Sequence, residues 1–148
     1  MKSKTWKLFL TVLGILVYCV VLVYIYSIQS NYKVVIECEQ EVYEFTSDME
    51  GYSIPVEIRN KANRMLSSEQ RIFLSYHVYD GNGNVLAYDN VRSELGKNIF
   101  SHSTERVELK VDALEPGEYI LGIDVVEEGV TWFSEHEEME KKLRIAVK

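Results

Sequence analysis

Ile72-Phe73-Leu74-Ser75-Tyr76-His77-Val78-Tyr79, then Asp80-Gly81-Asn82-Gly83-Asn84, then Val85-Leu86-Ala87-Tyr88, is the stretch that decides the fold. Ile72, Leu74, Tyr76 and Val78 alternate with Phe73, Ser75, His77 and Tyr79, the period of a strand with one face in a core. The Asp-Gly/Asn-Gly run supplies the conformations a tight hairpin needs, so a second strand returns over Val85–Tyr88. Asp80-x-Asn82-x-Asn84 also begins like a calcium loop. That loop needs Gly at its sixth position and Glu at its twelfth, where this chain has Val85 and Val91. The hairpin reading prevails.

The same period extends in both directions. Val34, Ile36 and Cys38 alternate, as do Ile54, Val56 and Ile58, then Val107, Leu109 and Val111. Tyr119, Leu121, Ile123 and Val125 follow, and then Leu143, Ile145 and Val147. No long amphipathic helix interrupts them. About seven short strands in roughly 118 residues predict an all-β, immunoglobulin-like antiparallel β-sandwich. Pro116-Gly117-Glu118-Tyr119 suits a tyrosine corner, with the Tyr119 hydroxyl bonded back to upstream backbone. Phe133 is expected to plug the open end of the sandwich. The charged connection Glu135–Lys142 is expected to form at most one helical turn.

Ahead of the strands, no charge appears between Lys7 and Lys33, and Leu8–Ile28 is almost wholly apolar. As a helix this run is about 31 Å long, enough to cross a bilayer. It is longer than a secretory signal core and ends in Tyr24, Tyr26 and Ser27 without a small-residue cleavage site, so it reads as an uncleaved anchor. Lys2, Lys4 and Lys7 precede it, which places the amino terminus in the cytoplasm and the domain outside. Trp6 at one end and Tyr24, Tyr26 and Tyr32 at the other suit the interfacial belts. The expected organisation is a cytoplasmic tail over 1–7, a transmembrane helix over 8–28, a linker over 29–33 and an extracytoplasmic sandwich over 34–148. The expected location is the cell membrane.

The chain has 16 Lys and Arg against 23 Asp and Glu, and without the three lysines before the anchor the balance is 13 against 23. A formal charge of −10 on the remainder argues against nucleic-acid binding, which needs clustered cations for phosphates. Cys19 and Cys38 are separated by the membrane boundary, so no disulfide is expected, and Cys38 reads as a small buried hydrophobe. His77, His102 and His136 have no metal-ligand spacing, and no nucleophile motif is present, so neither a metal, a cofactor nor catalysis is expected.

The face of Ile72–Tyr79 opposite the core carries Phe73, Ser75, His77 and Tyr79, unusually aromatic for a solvated surface. Immunoglobulin-like order makes Tyr119–Val126 its neighbour, which puts His77 and Asp124 on one face. Aromatic rings with converging polar groups can hold a sugar. A structural His–Asp contact under a loop explains the same residues. Trp132 is either an exposed platform or a second plug.

Several stretches resemble the small β-sandwich domains appended to bacterial polysaccharide-assembly proteins, including some glycosyltransferases and polysaccharide-exporter ATPases. They are Tyr76–Asp80, Gly83-Asn84-Val85, Arg92, Pro116–Leu121 and, most specifically, Asp124–Ser134. The resemblance spans about residues 52–147 and implies carbohydrate recognition by His77, Arg92, Asp124, Glu127 and Trp132. The expectation is therefore a membrane-anchored, extracytoplasmic, non-catalytic module for a bacterial envelope glycan. The alternative is a protein-interaction or scaffold subunit of a cell-envelope assembly.

Overall fold

A computed structural model describes residues 2–29, 31–48, 50–136 and 140–148, with the side chains of 2, 3, 28 and 29 left aside. Helix α1 (Lys2–Gln29) is followed by a body made mostly of strands. Its stretch Lys4–Ser27 is long and apolar enough to cross a membrane and is nowhere buried against the domain.

The strands are β1 (Val34–Cys38), β2 (Val42–Phe45), β3 (Gly51–Asn60), β4 (Ile72–Tyr79), β5 (Val85–Ala87), β6 (Thr104–Asp112), β7 (Gly117–Glu127), β8 (Thr131–Trp132) and β9 (Lys141–Val147). One sheet runs β1-β3-β6 and the other β2-β9-β7-β4-β5, with β8 paired to β7. This is an immunoglobulin-like sandwich order, with β4 and β7 neighbours as expected. Nine strands among the described residues replace the expected seven. The additional ones, β2 and β8, are four and two residues long, too short for alternation to register. The expected connection over 135–142 falls partly on residues 137–139, which lie outside the described residues. A 3-10 turn occupies Phe133–Glu135 just before them.

Pro55 explains why the first strand splits. It lies in the middle strand β3, opposite Glu108 of β6. On β6, Lys110 shares the parity of Glu108, and its N–H turns away from β3 to Ser93 Oγ at 2.8 Å. The Pro55 nitrogen accordingly faces β1, where it has no hydrogen to donate. Pairing of β1 ends at Cys38↔Val56, one position short of the proline. Released there, the chain crosses to the other sheet, where β2 pairs in parallel with β9.

The two inner faces supply one core, including Ile54, Ile58, Leu74, Tyr76, Leu109, Leu121 and Ile123, joined by Phe133 from the 3-10 turn, each no more than 1% exposed. Tyr76 ties the sheets together, its hydroxyl accepting the Asp112 N–H at 3.0 Å. Burial pushes this phenol up to about 12.

The hairpin after β4 is closed by Asp80, whose Oδ1 accepts the N–H groups of Asn82 and Asn84, each at 2.8 Å. Its hydrogen bonds, led by the Asn84 side chain, lower the Asp80 carboxyl. At the expected tyrosine corner, the Tyr119 hydroxyl donates to the Glu115 carbonyl at 3.0 Å. That bond is solvent-exposed, so Tyr119→Phe should cost only about 0.5–1.5 kcal/mol. A urea-unfolding midpoint identical to the parent's would remove any role for the hydroxyl.

Candidate functional site

The register places His77 opposite Gly122 and Ser75 opposite Asp124, so His77 and Asp124 are diagonal neighbours on the outer face of one sheet. That face is not open there. His77 and Asp124 are each 1% exposed and Ser75 is fully buried. The expectation of a solvated aromatic face is corrected accordingly. The chain after β5 lies along the edge of β4, where Ser93 and Leu74 exchange backbone hydrogen bonds of 2.8 and 3.0 Å. Asn90 Nδ2 donates to the Tyr76 carbonyl at 2.8 Å, and Ser75 Oγ donates to that of Val91 at 3.0 Å.

Above His77, the Tyr88 ring stacks at 4.0 Å between centroids and Trp132 tilts against it at 4.4 Å. The imidazole Nδ1–H donates to the Tyr88 carbonyl. Asp124 holds the start of the 3-10 turn, accepting the Ser134 N–H at 3.2 Å through Oδ2. Its Oδ1 accepts the Val125 N–H at 2.7 Å. Burial raises the Asp124 carboxyl, and hydrogen bonds from Ser134 and Val125, with His77 beside it, pull part of that shift back. These two residues therefore support the surface from below.

Arg92 is the centre of the next layer. Its Nε donates to Glu128 at 2.7 Å and a terminal nitrogen reaches Asp89 at 2.6 Å. The other terminal nitrogen donates to the Asn90 carbonyl at 2.7 Å and to Ser75 Oγ at 3.1 Å. The guanidinium lies 5.0 Å from the Trp132 ring centroid. The structure thus brings His77, Asp124, Arg92 and Trp132 together. Glu127 borders the same surface depression as Arg92 and Trp132, with its carboxylate held by Arg64 at 2.5 Å. Arg64 in turn packs over Tyr32 and Phe133.

What remains accessible is a shallow depression of 250 Å³ that Asp89, Arg92, Glu128, Val130, Thr131 and Trp132 help to line. Trp132 is partly exposed, and Tyr88, 47% exposed, meets it edge-on at 5.7 Å. The surroundings are acidic, with Glu135 also lining the depression and accepting the Thr131 hydroxyl at 2.7 Å. Among the described residues, no three His, Cys, Asp or Glu side chains are placed to hold a metal.

Sequence reasoning missed Tyr88, Asp89 and Glu128. Their role depends on how the chain after β5 folds back, which no periodicity encodes. It also read Tyr32 only as an interfacial residue. Tyr32 packs edge-on against Phe133 at 5.1 Å and stacks on His136 at 4.1 Å.

No protein-family model and no curated protein matches the chain. Among solved structures, it is similar to the CARDB domain of the PF1109 protein from Pyrococcus furiosus, with 14% identity and a TM-score of 0.42 over 78% of this chain and 88% of that one. It is also similar to the periplasmic chaperone SfaE, at 6% identity and a TM-score of 0.39, over 78% of this chain and 56% of the chaperone. A PapD-like domain of human CEP192 aligns at 16% identity and a TM-score of 0.34, over 80% and 84% of the two chains.

Proposed function

We propose that this protein is a non-catalytic binding module, anchored by α1 with its sandwich on the outer side of a bacterial cell membrane, that recognises an envelope glycan. The observation that carries this reading is the partly exposed Trp132 beside Tyr88, set over a depression rimmed by carboxylates and the Thr131 hydroxyl. Aromatic faces stack on the C–H faces of sugar rings, and carboxylates accept hydrogen bonds from ring hydroxyls. Arg92 contributes by orientation, since its donors are already engaged by Asp89, Glu128, Ser75 and Asn90.

The full chain in detergent is expected to bind a bacterial envelope glycan on a glycan array. Trp132→Ala should abolish that binding while unfolding remains cooperative. An array on which the parent binds nothing would overturn the glycan reading.

The orientation is tested separately. Protease added to intact cells should remove the domain, because the lysines lie before the apolar run. Digestion only after lysis would reverse the topology.

A second reading, an envelope-protein partner, rests on a different surface. Val85 and Leu86 on the edge strand β5 are 54% and 57% exposed, a site at which another chain can pair.

A further inference from the structure

Among the described residues outside α1, Val130 and Phe100 are the most exposed of the large apolar side chains, at 65% and 63%. Phe100 stands on a turn fixed beside the entry of the chain from α1. β1 begins at Val34 opposite Asn60, the last residue of β3. The Asn60 N–H donates to the Ser103 carbonyl at 2.9 Å, and its carbonyl accepts the His102 N–H at 2.8 Å. The Lys61 N–H donates to the Lys33 carbonyl at 2.9 Å, and Ser101 Oγ donates to the Ala62 carbonyl at 2.6 Å. The turn itself is closed by the Ser103 N–H on the Phe100 carbonyl at 3.0 Å.

The distance from this end to α1 is short. The stretch able to cross a membrane ends at Ser27. Arg64 Nε donates to the Asn31 carbonyl at 3.0 Å, so residue 31 already belongs to the domain. Two residues of helix and two of extended chain reach at most about 10 Å. The headgroup layer on each side of a bilayer is about 5–8 Å deep. With α1 read as a membrane anchor, on which this inference rests, the end bearing Phe100 is held at the headgroups.

Charge selects which part of that end can meet lipid. Residues 31–36, 58–68 and 95–104, which bond to one another there, hold Lys33, Arg59, Lys61, Arg64 and Lys97 and no acid. The remainder of the domain is acidic. Arg64 is paired with Glu127, and Lys97 shares a depression with Glu69 and Glu94. Lys33, Arg59 and Lys61 belong to the backbone network of the Phe100 turn, with Arg59 directly opposite Thr104. Val130 instead follows Glu127 and Glu128 and borders the acidic depression beside Trp132.

Cations near a membrane are drawn to anionic headgroups, and an aromatic ring on a basic surface enters the boundary between headgroups and acyl chains. We propose that the Phe100 turn docks on the membrane that α1 spans, with its ring in that boundary and Lys33, Arg59 and Lys61 against anionic headgroups. Helix and turn then attach the domain at two points and fix its tilt. The Phe100 side faces the lipid and the acidic depression faces the water.

The test uses the full chain in nanodiscs of phosphatidylcholine and phosphatidylglycerol carrying some lipid with a nitroxide on its headgroup, which broadens the NMR signals of nearby protons. The amide signals of Lys61 and Phe100–Ser103 should be broadened most, and those of Val130 and Thr131 less. Those of Asp80–Asn84, beyond the far end of the eight-residue β4, should be the least affected. Phe100→Asp should reduce the broadening of the turn to that of Val130, and Phe100→Trp should keep the parent's pattern. Neither change removes a core contact, because the ring is exposed. Parental broadening in Phe100→Asp, or equal broadening of Phe100 and Val130 in the parent, would overturn the docking while leaving the anchor in place. A chain that stays out of the nanodisc would overturn the anchor reading and the docking with it.

Discussion

Phe133→Ala should lower the stability of the domain by about 3–5 kcal/mol, the range for removing a fully buried aromatic ring. Phe133 is 0% exposed and belongs to the single core cluster. It enters that core from the 3-10 turn after β8, so its ring closes the end of the sandwich rather than an inner layer of a sheet. Tyr32 meets it edge-on and the Arg64 guanidinium lies 5.8 Å from its centroid. Truncation leaves a cavity that those neighbours collapse into only partly, because each has other partners. Arg64 is held by Glu127 and the Asn31 carbonyl, and Tyr32 is stacked on His136. The urea midpoint should fall with an unchanged slope, since the loss lies in the folded state. A shift below about 1 kcal/mol would show that the end of the sandwich is not closed by this ring.

Asn60→Ala should cost on the order of 3 kcal/mol, although it removes only a small polar group from the surface of the core. Asn60 is fully buried at the end of β3. Its Nδ2 donates to the Arg64 carbonyl at 2.7 Å and the Ile99 carbonyl at 2.9 Å. Its Oδ1 accepts the N–H of Ala62, itself fully buried, at 2.8 Å. Alanine leaves that N–H and the Arg64 carbonyl without this partner, while the Ile99 carbonyl keeps the Leu66 N–H at 2.9 Å, and each buried unpaired group costs about 1–3 kcal/mol. Asn60→Asp separates this account from one of shape. It keeps the size and the bond from Ala62 but turns a carboxylate oxygen toward two carbonyls, so it should be at least as destabilising as alanine. An aspartate variant of parental stability would refute the hydrogen-bond account.

Much of the framework was legible because strands announce themselves by period two. Ile72–Tyr79, Val107–Val111 and Tyr119–Val125 each show an alternation that marks the strands β4, β6 and β7; the burial of β6 repeats it, whereas β4 and β7 are buried on both faces over most of their length. The neighbourhood of His77 and Asp124 followed from parity together with immunoglobulin-like strand order. Their burial did not, because parity states only that a side chain faces away from the core and not what covers it. The cover is the chain from Tyr88 to Ser93 with Trp132, and its grip comes from Arg92 bonding Ser75, Asn90, Asp89 and Glu128. These residues come from separate parts of the chain and share no spacing. Glu127 illustrates the same limit, since its partner Arg64 lies in the connection between β3 and β4.

The amino-acid sequence by itself determined that an apolar helix precedes an acidic all-β domain, which residues face its core, and where its hairpin turns. Those properties depend on composition and on the local period of the backbone. Only the tertiary structure decided that the first strand divides beyond Cys38, that Asn60 ties two loops, and that Glu140 stands in for the side chain absent at Gly122. Each of these is a contact between residues distant in the chain, and its energy exists only once packing has excluded water and brought the partners together.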